Sequence, residues 1–211
     1  MSRIYVFNGW AAEEDVWGRC RFRRDRIFNY LEHLDGVSLS AVAEEPGPFV
    51  LVGFSMGSSI ALQAVLEHPE KVQGLVLVSG TARMMEERAP AEQGGGFVWQ
   101  GMSPRRWEAF RTGVKMLNED NPSPLFDDVN LDRGLEYLKT TDQRAALTAI
   151  AGRTHFPVAI FQSRRDGIVR PHNAEFLHRI FPQASLNWIE SNEHDLPRTV
   201  PRLIDEAVSS M

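Results

Sequence analysis

A serine between two glycines, Gly53-Phe54-Ser55-Met56-Gly57, follows the apolar run Phe49-Val50-Leu51-Val52 and precedes a stretch with helical spacing, Ser58–His68. A serine on so sharp a strand-to-helix turn takes strained backbone angles. Its neighbours two positions away come close together, so glycines without a Cβ suit both flanks. Such a turn presents Ser55 Oγ at the C-terminal edge of a sheet and the start of a helix, where a nucleophile stands. The alternative is a Gly/Ser turn in which Ser55 only caps the helix. The strand before and the helix after favour the nucleophile.

A hydroxyl is a weak nucleophile that needs a base, and the base needs an orienting carboxylate. After a nucleophile of this kind, the acid and then the histidine follow in chain order. Of six histidines, His194 lies in Ser191-Asn192-Glu193-His194-Asp195, a polar loop after the last apolar run. His33, His68, His155, His172 and His178 fall in other elements and read as structural or surface residues. Asp166-Gly167 is a turn directly after Val158–Phe161, one helix and one strand before His194, so the two loops lie side by side. Asp166 is therefore the expected acid. Asp195 is its rival, but adjacent residues rarely set a carboxylate correctly on a neighbouring imidazole. Two N–H donors must hold the oxyanion. The backbone of Met56 is one. The other is the backbone of Trp10 in Asn8-Gly9-Trp10-Ala11, where Gly9 lets the loop bend toward Ser55. The Trp10 indole can serve as a core aromatic at the same time. The expected chemistry is acyl transfer through an acyl-enzyme, with no metal and no organic cofactor.

These groups need a sheet. Ile4–Phe7, Arg26–Leu31, Phe49–Val52, Val72–Val78, Pro157–Phe161 and Leu186–Ile189 read as strands. Between them Glu13–Cys20, Ser38–Glu45, Ser58–His68, Ala174–Ile180 and, last, Thr199–Ser209 read as helices, with Pro46-Gly47-Pro48 a stop. The alternation predicts an α/β fold, a mostly parallel sheet of about six strands with helices on both faces. Between the fourth and fifth strands, the polar stretch Met84–Gly96 reads as a loop. The stretches Pro104–Asn118, Leu131–Leu138 and Asp142–Ala151 read as helices. One domain over 1–211 with a short helical lid at about 82–154 is the expected organisation. Trp107, Phe110, Val114 and Leu117 share one helix face. That face either roofs Ser55 and lines a substrate channel, with Trp10, Phe110 and Val114 as contacts, or only fastens the lid to the core.

The 211 residues are 43% hydrophobic and 24% charged with a net charge of −5, which excludes disorder and gives no general attraction to nucleic acid or membrane. The arginines between Arg19 and Arg26 read as a solvated face. The single cysteine, Cys20, allows no intramolecular disulfide. The first ten residues lack the pattern of a signal peptide, and no apolar stretch reaches the roughly 18 residues of a membrane helix. A cytoplasmic protein without membrane contact is expected.

Asn8-Gly9-Trp10, Val16-Trp17, the elbow, His68-Pro69-Glu70-Lys71-Val72 and Asp166-Gly167-Ile168-Val169 resemble α/β-hydrolases of the biotin-pathway carboxylesterase type, the pimeloyl-[acyl-carrier-protein] methyl ester esterases. Leu131–Arg144 is similar to the segment leading out of that family's lid and is more specific than the elbow. Three departures stand out. The chain starts at the strand carrying the oxyanion loop, Asn8 replaces the family's usual histidine, and both Arg19–Gly47 and the insertion after Thr81 are short. The resemblance implies hydrolysis of the methyl ester of a pimeloyl group on acyl carrier protein. It also implies an acyl channel at Phe110, and lid cations (Arg105, Arg106, Arg111, Lys115) meeting the acidic carrier. The lid also holds many carboxylates, so its helices can equally be a solvated face. The alternatives are a carboxylesterase or thioesterase on other small acyl substrates, and a non-catalytic binding protein on this fold.

Overall fold

Each expected strand is present in the computed structural model, which describes residues 2–84 and 104–211, without the side chains of 104–107. The strands are β1 (Arg3–Phe7), β2 (Arg26–Phe28), β3 (Phe49–Phe54), β4 (Val72–Val78), β5 (Val158–Ser163) and β6 (Ser185–Ile189). They pair in parallel in the order β2-β1-β3-β4-β5-β6. The helices are α1 (Tyr30–Leu34), α2 (Val37–Glu44), α3 (Met56–Glu67), α4 (Pro104–Leu117), α5 (Asp128–Thr140), α6 (Arg144–Ala149), α7 (His172–Ile180), α8 (Leu196–Thr199) and α9 (Pro201–Ser209). None is long and apolar enough to cross a membrane among the described residues.

The period of two along each strand divides the interior into two layers. Tyr5, Phe7, Phe49, Leu51, Leu75, Leu77 and Ile160 enter one core, shared with α2, α3, α5 and α7. Val6, Val50, Val52, Val76, Val78, Ala159 and Phe161 enter the other, closed by α8, α9 and Trp17. Burial on both faces is why these strands read as continuous apolar runs rather than alternating ones.

β2 is shorter than the expected Arg26–Leu31. The Asn29 side chain accepts from Leu31 N and Glu32 N, and Glu32 returns a carboxylate to Asn29 N. This capping box starts α1 and overrides the strand preference of Tyr30 and Leu31. The chain passes from β1 outward to β2 and then crosses back to β3 on the other side. The loops after β1 and β3 therefore diverge at the point where strand order reverses, which opens a crevice at the carboxyl ends of the strands.

Helices α4, α5 and α6 lie between β4 and β5 in the chain. Two buried aromatic donors tie this segment to the sheet, Trp10 Nε1 to Leu131 O (3.0 Å) and Tyr30 OH to Leu125 O (2.8 Å). A Cβ at Gly134 would come within 2.3 Å of Trp10 Cδ1, so the glycine lets α5 lie directly on the indole. On α4, Phe110 and Val114 pack on the core, but Leu117 is 86% exposed. The expected apolar stripe thus ends one turn early, because the last turn of α4 runs past the core. The Trp107 side chain lies outside the described residues, as does most of the expected Met84–Gly96 loop.

His33 is buried where α1 meets α5, with Nδ1 3.1 Å from Ser38 Oγ and its ring edge-on to Tyr137. Burial lowers its pKa to about 4, against a weaker opposing pull from Glu67. The folded state therefore resists a proton that the unfolded chain accepts near 6.5. His33 costs no stability above that pH and progressively more as pH falls from about 6.5 toward 4. Denaturant titrations across this window should show a shallower loss for His33→Gln than for the parent, by up to about 1.4 kcal/mol per pH unit. Equal slopes would mean that His33 takes up its proton in the fold as readily as in the unfolded chain.

Candidate active site

The turn after β3 has the strain its sequence suggests. Ser55 sits at φ 53° and ψ −120°, backbone angles that cost about 1–3 kcal/mol. A Cβ at Gly53 would lie 2.5 Å from Ser58 Cα, and one at Gly57 would lie 1.9 Å from Phe7 O. Gly53 thus permits the close return of the chain. Gly57 permits something the motif alone does not reveal, the passage of the end of β1 against the first turn of α3. Ser55 N donates to Val78 O (2.9 Å) and Ser58 Oγ to Gly53 O (2.8 Å), which pin the turn from both sides.

Ser55, His194 and Asp166 form one continuous line. His194 Nε2 is 2.8 Å from Ser55 Oγ, and Nδ1 is 2.8 Å from Asp166 Oδ2. The Asp166 side chain is wholly buried. Its Oδ1 accepts from the backbone of Ile168 (2.8 Å) and Val169 (3.0 Å), and its Oδ2 also accepts from Gln162 Nε2 (3.2 Å). Asp195 turns elsewhere, 3.5 Å from Arg198. Burial pushes its carboxyl above the usual range, partly offset by Arg198.

The histidine loop hangs from two buried serines that the sequence reading missed. Ser79, at φ 50° just past β4, donates Oγ to His194 O (2.8 Å), and Ser163, at the end of β5, donates to Glu193 O (2.5 Å). Gln162 was missed as well. The available signal was a Gln-Ser pair closing an otherwise apolar strand just before the acid.

The loop after β1 lies over the serine. A Cβ at Gly9 would be 3.2 Å from Ser55 Cβ. Asn8, wholly buried, accepts from Trp17 Nε1 (2.7 Å) and donates to Ala12 O (3.4 Å), so it braces the loop from beneath. Trp10 follows on this loop, and Met56 opens α3, where the first helical N–H groups lack intrahelical acceptors.

Ser55 and His194 border a cleft of about 320 Å³ whose apolar lining includes Trp10, Met84, Phe110, Phe126, Leu138 and Val169. Asp15, Asn118, Asp195 and Arg198 add a polar sector. The rings of Phe110 and Trp10 are 5.3 Å apart. Val114, expected beside Phe110, packs on the core and is not part of this lining. Two of the expected carrier contacts take part in ion pairs within the protein. Arg111 pairs with Asp128 and Asp132 (2.8 Å each), and Lys115 with Asp128. The side chains of Arg105 and Arg106 lie outside the described residues.

Residues 45–110 match the family model described as alpha/beta hydrolase fold. The pimeloyl-[acyl-carrier protein] methyl ester esterase of Salmonella newport is 27% identical over 224 residues, covering 90% of this chain and 86% of that protein. The protein of the same name from Cronobacter sakazakii is 26% identical, with 90% and 85% covered. Among solved structures, a hydrolase from Oleispira antarctica superposes with a TM-score of 0.67 at 15% identity, covering 100% of this chain and 92% of that one. An esterase from Exiguobacterium antarcticum does so with a TM-score of 0.67 at 17% identity, covering 100% and 92%. The fold is that of the α/β-hydrolases.

Proposed function

We propose that this chain, a carboxylic ester hydrolase of α/β-hydrolase fold resembling the pimeloyl-[acyl-carrier protein] methyl ester esterases, uses Ser55 as nucleophile, His194 as general base and Asp166 as the acid that orients it. The single observation carrying this reading is the unbroken Ser55–His194–Asp166 line, 2.8 Å at each step, beside an apolar cleft.

Ser55 Oγ attacks the ester carbonyl carbon while its proton passes to His194 Nε2. The carbonyl oxygen becomes an oxyanion, held by the backbone N–H groups of Met56 and Trp10. Collapse expels the alkoxide, which takes the proton from His194 and leaves as the alcohol. Water, activated by the same imidazole, then attacks the acyl-enzyme and releases the acid. Asp166 stays ionised throughout, fixing Nδ1–H and stabilising the imidazolium. Helices α4 to α6 act as the roof that excludes water from this step.

The substrate we favour is the methyl ester of a pimeloyl group on acyl carrier protein. The names of the relatives at 26–27% identity support it, and so does a lining that suits an acyl chain. The second reading, a small free ester, draws on the ion pairs of Arg111 and Lys115, which a docking carrier must exchange for its own. Methanol release from the methyl pimeloyl carrier, compared with release from the free monomethyl ester, separates the two readings. On either, Phe110→Ala should raise KM roughly tenfold for the longer acyl ester and leave p-nitrophenyl acetate within about twofold, since each buried CH₂ contributes about 0.8 kcal/mol. Equal losses on both esters with a lower Tm would make Phe110 a structural contact only.

A further inference from the structure

Gln162 is the penultimate residue of β5, and its side chain is wholly buried just after the apolar run Val158–Phe161. A buried carboxamide costs free energy unless its polar atoms find partners, and here the nitrogen is engaged while Oε1 has no hydrogen-bond partner among the described residues. Its Nε2 faces three oxygens, Val169 O (2.9 Å), Asp166 Oδ2 (3.2 Å) and Ser163 O (3.3 Å). All three are acceptors, so the amide nitrogen and not the amide oxygen must point at them. The Asp166 oxygen it reaches is the one that accepts Nδ1–H of His194. The other Asp166 oxygen is held by two backbone N–H groups. Rotation of the carboxylate about its own axis is therefore opposed at both oxygens.

We propose that Gln162 is a positioning residue for catalysis, fixing the Asp166 carboxylate and tuning its pull on the His194 imidazole. The inference rests on the triad reading above. One amide hydrogen withdraws charge from Oδ2, and the contact to Val169 O closes the loop that carries both backbone donors to Oδ1. Without Gln162, the carboxylate gains freedom to turn and its full charge acts on His194, which stabilises the imidazolium. The groups that bear on this balance are Asp166 on the loop after β5, His194 and Asp195 on the loop after β6, and Arg198 on α8, which holds Asp195.

The test is Gln162→Met, an unbranched side chain of similar length with no donor, assayed with p-nitrophenyl acetate. The fold should persist by circular dichroism. We expect kcat to fall about tenfold with KM within twofold, and the acid limb of the kcat/KM profile to move to higher pH. In an Asp166→Asn background the same change should cost less than twofold. Gln162→Glu provides a second variant of near-identical volume. Its activity relative to the parent at the same pH should be worse at pH 8 than at pH 6, because only the protonated acid can donate to Asp166. An unchanged kcat, an unmoved acid limb, or a tenfold loss that persists beside Asp166→Asn overturns the proposal. Full activity of Asp166→Asn alone instead overturns the acid assignment, a failure visible before Gln162 is altered.

Discussion

Ser55→Ala should abolish ester turnover, with kcat lowered on the order of 10⁶-fold, the scale on which a triad serine acts. The change removes one atom, Oγ, whose contact is His194 Nε2 at 2.8 Å. Ser55 N still donates to Val78 O, and the flanking glycines still permit the turn. Stability should therefore stay within about 0.5 kcal/mol, as for a substitution that disturbs no packing. The variant should still bind the ester, because the rest of the cleft lining is untouched. The decisive measurement pairs steady-state turnover with labelling by a fluorophosphonate, which modifies only an activated serine. Labelling of the variant, or turnover beyond a trace, would mean that another group attacks the ester.

Asp166→Asn should lower kcat about 10⁴-fold while leaving KM and fold nearly unchanged. The structure supplies a specific reason. Oδ1 is held by the backbone N–H groups of Ile168 and Val169, so the amide oxygen must occupy that side. The amide nitrogen then faces His194 Nδ1, which can only accept from it. The imidazole proton is forced to Nε2, where it faces Ser55 and cannot receive a second one. Asp195→Asn is the matched control. Asp195 is turned to Arg198, so its loss should cost little in kcat. A dead Asp195→Asn beside an active Asp166→Asn would move the acid by one loop. His194→Ala should resemble Ser55→Ala, whereas His172→Ala and His178→Ala on α7 should not.

The residues that make up this site were legible in the sequence because each sits at a boundary that local rules mark. A glycine-flanked serine ends a buried run, an Asp-Gly turn ends another, and a histidine opens the polar loop after a third. Period-two and period-3.6 patterning located the strands and helices, since burying a strand on both faces requires an unbroken apolar run. Where local signals competed, reading along the chain failed. Tyr30 and Leu31 suit a strand, yet the Asn29–Glu32 capping box makes them helix. The stripe on α4 extends to Leu117 by spacing alone, but a helix buries only the turns that meet a core, and that depends on where the neighbouring elements end.

What the chain order could not disclose is the support behind the site. Gly57 is required by Phe7 O, a residue of another strand, and Gly134 by the indole of Trp10. Ser79 and Ser163 hold the backbone carbonyls of His194 and Glu193 across strand ends far apart in sequence, whereas Gln162 reaches Asp166 only four residues further on. A single polar residue at the end of an apolar run carries no mark of its partner. Composition and periodicity determine which residues are buried and which elements form. Only the parallel stacking of β1, β3, β4 and β5 decides which buried polar groups meet, because hydrogen bonding acts over about 3 Å and that proximity is made by tertiary packing.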